Sequence, residues 1–132
     1  MQVDVVSPEK LLFSSEAVSV EIPGSDGDMT AMANHAPLIT TLRPGILRVV
    51  QEKGASEYVV TGGFAELGET VSVLAEKAVL KADFDREMFD ELVTAAQTAL
   101  DSARANMVGD AVDMAAKSLS DFNTLGENLG FR

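Results

Sequence analysis

The hydrophobic pattern of this chain changes period once, at Asp83, and that change limits the fold more than any other feature. Up to about residue 82, apolar and polar residues alternate. Val3 and Val5 begin the pattern. Ala17-Val18-Ser19-Val20-Glu21-Ile22, Leu47-Arg48-Val49, Glu57-Tyr58-Val59-Val60 and Thr70-Val71-Ser72-Val73-Leu74 continue it. Successive side chains of a strand point to opposite faces, so a step of two marks half-buried strands. Turn signals separate the runs: Ser7-Pro8, Pro23-Gly24, Asp26-Gly27, Pro44-Gly45, Lys53-Gly54, Gly62-Gly63 and Gly68-Glu69. Their close spacing predicts about ten short strands, enough for a β-sandwich of two sheets.

From Asp83 the period becomes helical. Asp83 or Asp85 can cap a helix, with Glu87, Asp90 and Glu91 near its positive end. Phe89, Leu92, Val93, Ala96, Ala99, Leu100, Ala103 and Met107 recur on one face. Asn106 and Gly109 break this helix. Asp110 is the expected cap of a second, whose stripe is Ala111, Met114, Ala115, Leu119, Phe122 and Leu125, with Gly126 as its expected end. So short a break predicts an antiparallel two-helix hairpin. The predicted domains are a sandwich over 1–83 and a hairpin over 84–132. Both stripes are rich in alanine, which buries little area, so the hairpin is marginal alone and must dock on something. Residues 127–132 are expected to fray.

With 132 residues, of which 46% are apolar, the chain suits one domain, or a small domain and an appendage. It has no cysteine, which excludes disulfides, thiolate metal sites and cysteine nucleophiles. No apolar run reaches the roughly 18 residues of a membrane span. The start, Met1-Gln2-Val3-Asp4-Val5-Val6, is strand-like without a basic region, so no signal or transit peptide is expected. The net charge of −11 disfavours a nucleic acid or an anionic lipid surface. It suits a partner with basic loops, or it serves solubility alone.

Between Asn34 and Gly45 lie the only histidine, His35, and two of the four prolines, Pro37 and Pro44. Proline fixes its own φ and disfavours helix just before it. Leu38 to Leu42 is therefore a short extended run, and Pro44-Gly45 turns the chain. The stretch reads as a stiff loop presenting one imidazole beside a sheet. Nothing in it or elsewhere makes a catalytic, cofactor or metal site. A zinc site needs several ligands and His35 has no second histidine. The serines have only His35 as a base, with no motif orienting the pair. Asp26-Gly27-Asp28 lacks the later ligands of a calcium loop and suits a hairpin turn. Gly62-Gly63-Phe64 lacks the Lys and Ser/Thr of a phosphate cradle.

Several phrases together resemble the epsilon subunits of the rotary F-type ATP synthases. They are Val5-Val6-Ser7-Pro8-Glu9-Lys10 with Phe13-Ser14, Pro23-Gly24-Ser25-Asp26-Gly27-Asp28, and His35-Ala36-Pro37-Leu38 with Thr40, Leu42 and Pro44-Gly45. Gly62-Gly63-Phe64 with Glu66, and Val71-Ser72-Val73-Leu74-Ala75, complete the set in the family's order. The resemblance implies a sandwich followed by a helical hairpin. It implies a non-catalytic rotor subunit that couples rotation of the c-ring to the gamma shaft, on the cytoplasmic face of a bacterial inner membrane. It places His35, Thr40 and Leu42 at the gamma subunit, although Leu42 reads equally as plain core, and Asp28 at the c-ring. The chain departs from the family at Asn34, usually glycine, and at Met29-Thr30, usually Leu-Gly. Asparagine tolerates a left-handed backbone, so the first change is mild. The second puts a local turn in question.

The alternative role is a nucleotide-responsive inhibitor of ATP hydrolysis, acting through the hairpin and the alpha and beta subunits. The family's ATP motif ends in Arg-Ala, where this chain has Met88-Phe89, although Asp85 is kept. Without that arginine the phosphates lose their countercharge. Inhibition in the family rests on basic residues of the second helix. Here Lys117 and Arg132 stand against Asp110, Asp113, Asp121 and Glu127. An acidic helix is repelled by an acidic target, so weak nucleotide binding and weak inhibition are expected.

Overall fold

The computed structural model describes residues 1–131. The chain divides into two compact units, Met1–Asp83 and Phe84–Arg132. The first unit contains ten strands in two five-stranded sheets, the β-sandwich expected from the alternation. In the first sheet the order is β2 (Leu11–Glu16), β1 (Gln2–Val6), β9 (Thr70–Ala75), β8 (Gly63–Leu67) and β5 (Leu38–Thr41). In the second it is β10 (Ala78–Leu80), β7 (Gly54–Val60), β6 (Gly45–Gln51), β3 (Ser19–Gly24) and β4 (Gly27–Met32). The chain crosses between the sheets after β2, β4, β5, β7 and β9, which ties the two layers together. Every neighbouring pair is antiparallel except β1 and β9. These two run parallel because most of the sandwich lies between them in sequence.

Alternation sorts the side chains. Val3, Val5, Val71, Val73 and Ala65 of the first sheet and Val20, Ile22, Leu47 and Val49 of the second belong to one buried core. Each valine so buried is worth about 1.5–3 kcal/mol. The glycine pair resolves as strand pairing. Gly63 opens β8 with φ of 110°, and a Cβ there would sit 1.9 Å from the carbonyl oxygen of Leu74. Only glycine lets β8 approach β9 so closely at that point. Met29-Thr30 lies within β4, so no turn is needed there.

The second unit is the predicted hairpin. Its first helix, α1 (Arg86–Ala105), is capped by Asp85, whose carboxylate accepts from the Met88 N–H at 2.8 Å. It ends at Asn106, after which Met107 has φ of 56°. The Met107 N–H donates to the Arg104 carbonyl and the Val108 N–H to the Ala103 carbonyl, at 3.1 and 3.2 Å. This is a Schellman closure with methionine where glycine is usual.

The boundaries of the second helix, α2 (Gly109–Leu129), differ from expectation. Asp110 is not its cap: Val108 holds that position in an extended conformation with no side-chain hydrogen bond. The tight closure after α1 starts α2 early and leaves Asp110 in its first turn, where its charge suits the helix dipole. Gly126 does not end α2 but lies inside it. A Cβ on Gly126 would sit 2.3 Å from Phe89 Cζ, so the glycine makes room for that ring. The true end is Gly130, left-handed at φ of 79°, with the Phe131 N–H donating to the Gly126 carbonyl at 2.8 Å. Residues 127–131 are thus helix and cap rather than frayed chain. The Phe131 ring lies 5.4 Å from that of Phe89 and 6.1 Å from that of Phe84. Arg132, one of the two basic residues weighed for inhibition, lies outside the described residues.

Candidate docking surface

The outer face of the first sheet follows from its register. With Val3, Val5, Ala65, Val71 and Val73 turned inward, the residues between them point outward. One row across the sheet reads Val6, Leu74, Phe64 and Thr41, with Leu11 opposite Val6. The next reads Ser14, Asp4, Ser72, Glu66 and Ile39. Leu11, Leu74, Phe64 and Ile39 are all exposed, Phe64 at 46% and Ile39 at 68%. An apolar row bordered by hydroxyls and carboxylates is the composition of a protein interface. In the polar row, Ser14 Oγ donates to Asp4 Oδ1 at 2.6 Å and Gln2 Nε2 donates to it at 3.1 Å. These bonds hold the Asp4 carboxyl below its ordinary value, the Ser14 bond most.

The residues singled out by sequence lie on three stretches of the chain. His35 is half-buried on the loop between β4 and β5, after Asn34, which is left-handed at φ of 68°. Its Nδ1 lies 3.3 Å from the Ala36 carbonyl oxygen. Thr40 and Leu42 share the inward side of the β5 run. Thr40 is half-buried at the sheet edge, and its Oγ1 donates to the Thr41 carbonyl at 3.2 Å. Leu42 is a core side chain, only 7% exposed. Its burial makes Leu42 a support beneath the run, whose outward phase carries Ile39 and Thr41. Asp28 lies on β4, in the other sheet, with its side chain 79% exposed.

Three of the four meet at one corner, around Gly24: Leu42 bridges it, Thr40 Oγ1 lies beside it, and Arg43, which the sequence does not single out, joins its carbonyl to Asp28. The signal available was a cation next to a Pro-Gly turn in an acidic chain. Phe64 and Leu74 were also legible, since both are apolar residues in the outward phase of their strands. Among the described residues no group of three His, Cys, Asp or Glu could hold a metal ion. No helix of the described residues is long and apolar enough to cross a membrane.

Comparison with known proteins agrees with this architecture. The family model for the beta-sandwich domain of ATP synthase delta/epsilon chains matches residues 1–81. The ATP synthase epsilon chain of Fuscovulum blasticum is 51% identical over 132 residues, covering 99% of this chain and 97% of that one. That of Ruegeria sp. (strain TM1040) is 49% identical over 131 residues, with 98% and 96% covered. Among solved structures, a chain of the Euglena gracilis mitochondrial ATP synthase, OSCP/F1/c-ring in rotational state 1, superposes with a TM-score of 0.72. It is 24% identical, with 96% of this chain and 79% of that one covered, and so shares the fold. With a family model matched over more than half its length and relatives about half identical along nearly all of it, the chain belongs to the ATP synthase epsilon chain family.

Proposed function

We propose that the chain is a non-catalytic rotor subunit of a proton-translocating ATP synthase, coupling c-ring rotation to the gamma shaft. The observation that carries this is the outward row of the first sheet, Leu11, Val6, Leu74 and Phe64, beside Ile39. A sheet backed by a close-packed core transmits torque without yielding. An exposed apolar row gives it something to grip with. His35 and Thr40 are the proposed gamma contacts leading into that row, and Leu42 supports them from the core. Asp28, on the other sheet, is the proposed contact to the c-ring. The Euglena gracilis assembly, described as containing F1 and a c-ring, supports this reading. In this reading the chain works on the cytoplasmic face of a bacterial inner membrane, held there through the complex.

The test is co-purification with a gamma-type subunit. Phe64→Glu places a charge on an already exposed position, so the fold should survive. We expect binding to weaken at least about tenfold, as for loss of a central interface anchor. The thermal midpoint should hardly move. Unchanged binding in Phe64→Glu and in Leu74→Glu would remove this face from the interface.

A further inference from the structure

Arg43 lies in the connection between β5 and β6, where the chain passes from the first sheet to the second. Its backbone N–H donates to the Pro23 carbonyl at 3.0 Å. Its Nη1 donates to the Gly24 carbonyl at 2.6 Å, and its Nη2 donates to Asp28 Oδ1. Around it the corner is closed by backbone. Leu42 bridges Gly24, and the Ser25 N–H donates to the Thr41 carbonyl at 2.9 Å. There is little slack, because a Cβ on Gly24 would meet the Gly27 carbonyl oxygen at 2.8 Å.

The ion pair is lopsided. The Arg43 side chain is 26% exposed and that of Asp28 79%. An exposed pair adds little to fold stability. A guanidinium held at one end by a backbone carbonyl does something else: it fixes the carboxylate it grips at the other. Fixing one oxygen of Asp28 removes rotamer freedom that a partner would otherwise have to freeze.

We propose that Arg43 is the positioning residue of this corner, holding Asp28 by one oxygen and presenting the other to a hydrogen-bond donor on the c-ring. The proposal rests on the rotor reading above, in which Asp28 faces the ring. Because Arg43 already offsets its charge, Asp28 acts as an oriented acceptor more than as a free anion.

The experiment uses the whole ATP synthase carrying this chain, reconstituted in vesicles, and reads proton pumping per ATP hydrolysed. Asp28→Asn and Arg43→Gln should each lower it by a similar factor, roughly two- to fivefold, the scale of one exposed charged contact. The double variant should be no worse than either single one, since both act through one carboxylate. Arg43→Lys, with a single ammonium in place of the fork, should recover part of the loss. The thermal midpoint of each variant separates positioning from unfolding. Should Arg43→Gln unfold the corner, a pumping loss in the folded Arg43→Lys variant carries the same test. Multiplying losses in the double variant would overturn the proposal. So would wild-type or enhanced pumping in Arg43→Gln, or no effect of Asp28→Asn. The rotor reading fails separately, by loss of gamma co-purification from the unaltered chain.

Discussion

Among the described residues, two outside glycine hold a left-handed backbone, Asn34 and Met107. Asparagine takes that conformation readily, because its short side chain bonds locally. Methionine has no such compensation and gives up about 1–2 kcal/mol there. Met107 is 89% exposed, so packing returns little of this. Met107→Gly should therefore stabilise the hairpin by about 0.5–1 kcal/mol, seen as a raised urea midpoint of the full chain. Met107→Ala, which keeps the Cβ, should give no such gain. If alanine stabilises as much as glycine, the left-handed cost is not the cause. Asn34 was legible because its chemistry is local. Met107 was not, since its φ is set by how α1 hands over to α2.

At the scale of elements, Gly126 shows how tertiary contact overrides propensity. Alanine in a helix interior is favoured over glycine by about 1 kcal/mol. On propensity alone Gly126→Ala would stabilise α2. A Cβ 2.3 Å from the Phe89 ring cannot be accommodated without moving α1 or the ring. Overpacking of this kind costs about 1–3 kcal/mol, so the net effect should be destabilising. Thermal melts of Gly126→Ala should show a lower midpoint, and a second change, Phe89→Leu, should restore part of it. A midpoint above that of the unaltered chain would mean that the ring yields freely. The strands were legible throughout because alternation reports burial directly. The ends of α2 were not, since a glycine reads alike whether it stops a helix or admits a neighbouring ring.

For the whole molecule, charge and capping decide what the hairpin is fit to do. The Asp85 carboxylate, the surviving part of the nucleotide motif, is bound to the Met88 N–H. Lys117, the basic side chain within α2, pairs with Asp121 at 2.5 Å. We expect titration calorimetry to show no ATP affinity in the low-micromolar range or tighter. Deleting everything after Asp83 should raise ATP hydrolysis by the assembled complex less than about twofold, since an acidic helix gains nothing from an acidic target. A several-fold rise would establish the inhibitory role instead. The docking face was half legible. The run from Leu38 to Leu42 stood out, but its two phases could not be told apart before β5 was registered against β8.

What the sequence determined by itself was periodicity and its single change, and with them the sandwich, the hairpin and the boundary near Asp83. These follow from short-range rules, because each side chain's direction depends on its neighbours along the chain. What only the tertiary structure decided was which side of each run meets the core. It buried Leu42, exposed Ile39, fitted Gly126 under Phe89 and brought Arg43 to Asp28. Those outcomes depend on contacts between residues far apart in sequence, whose register no local pattern encodes.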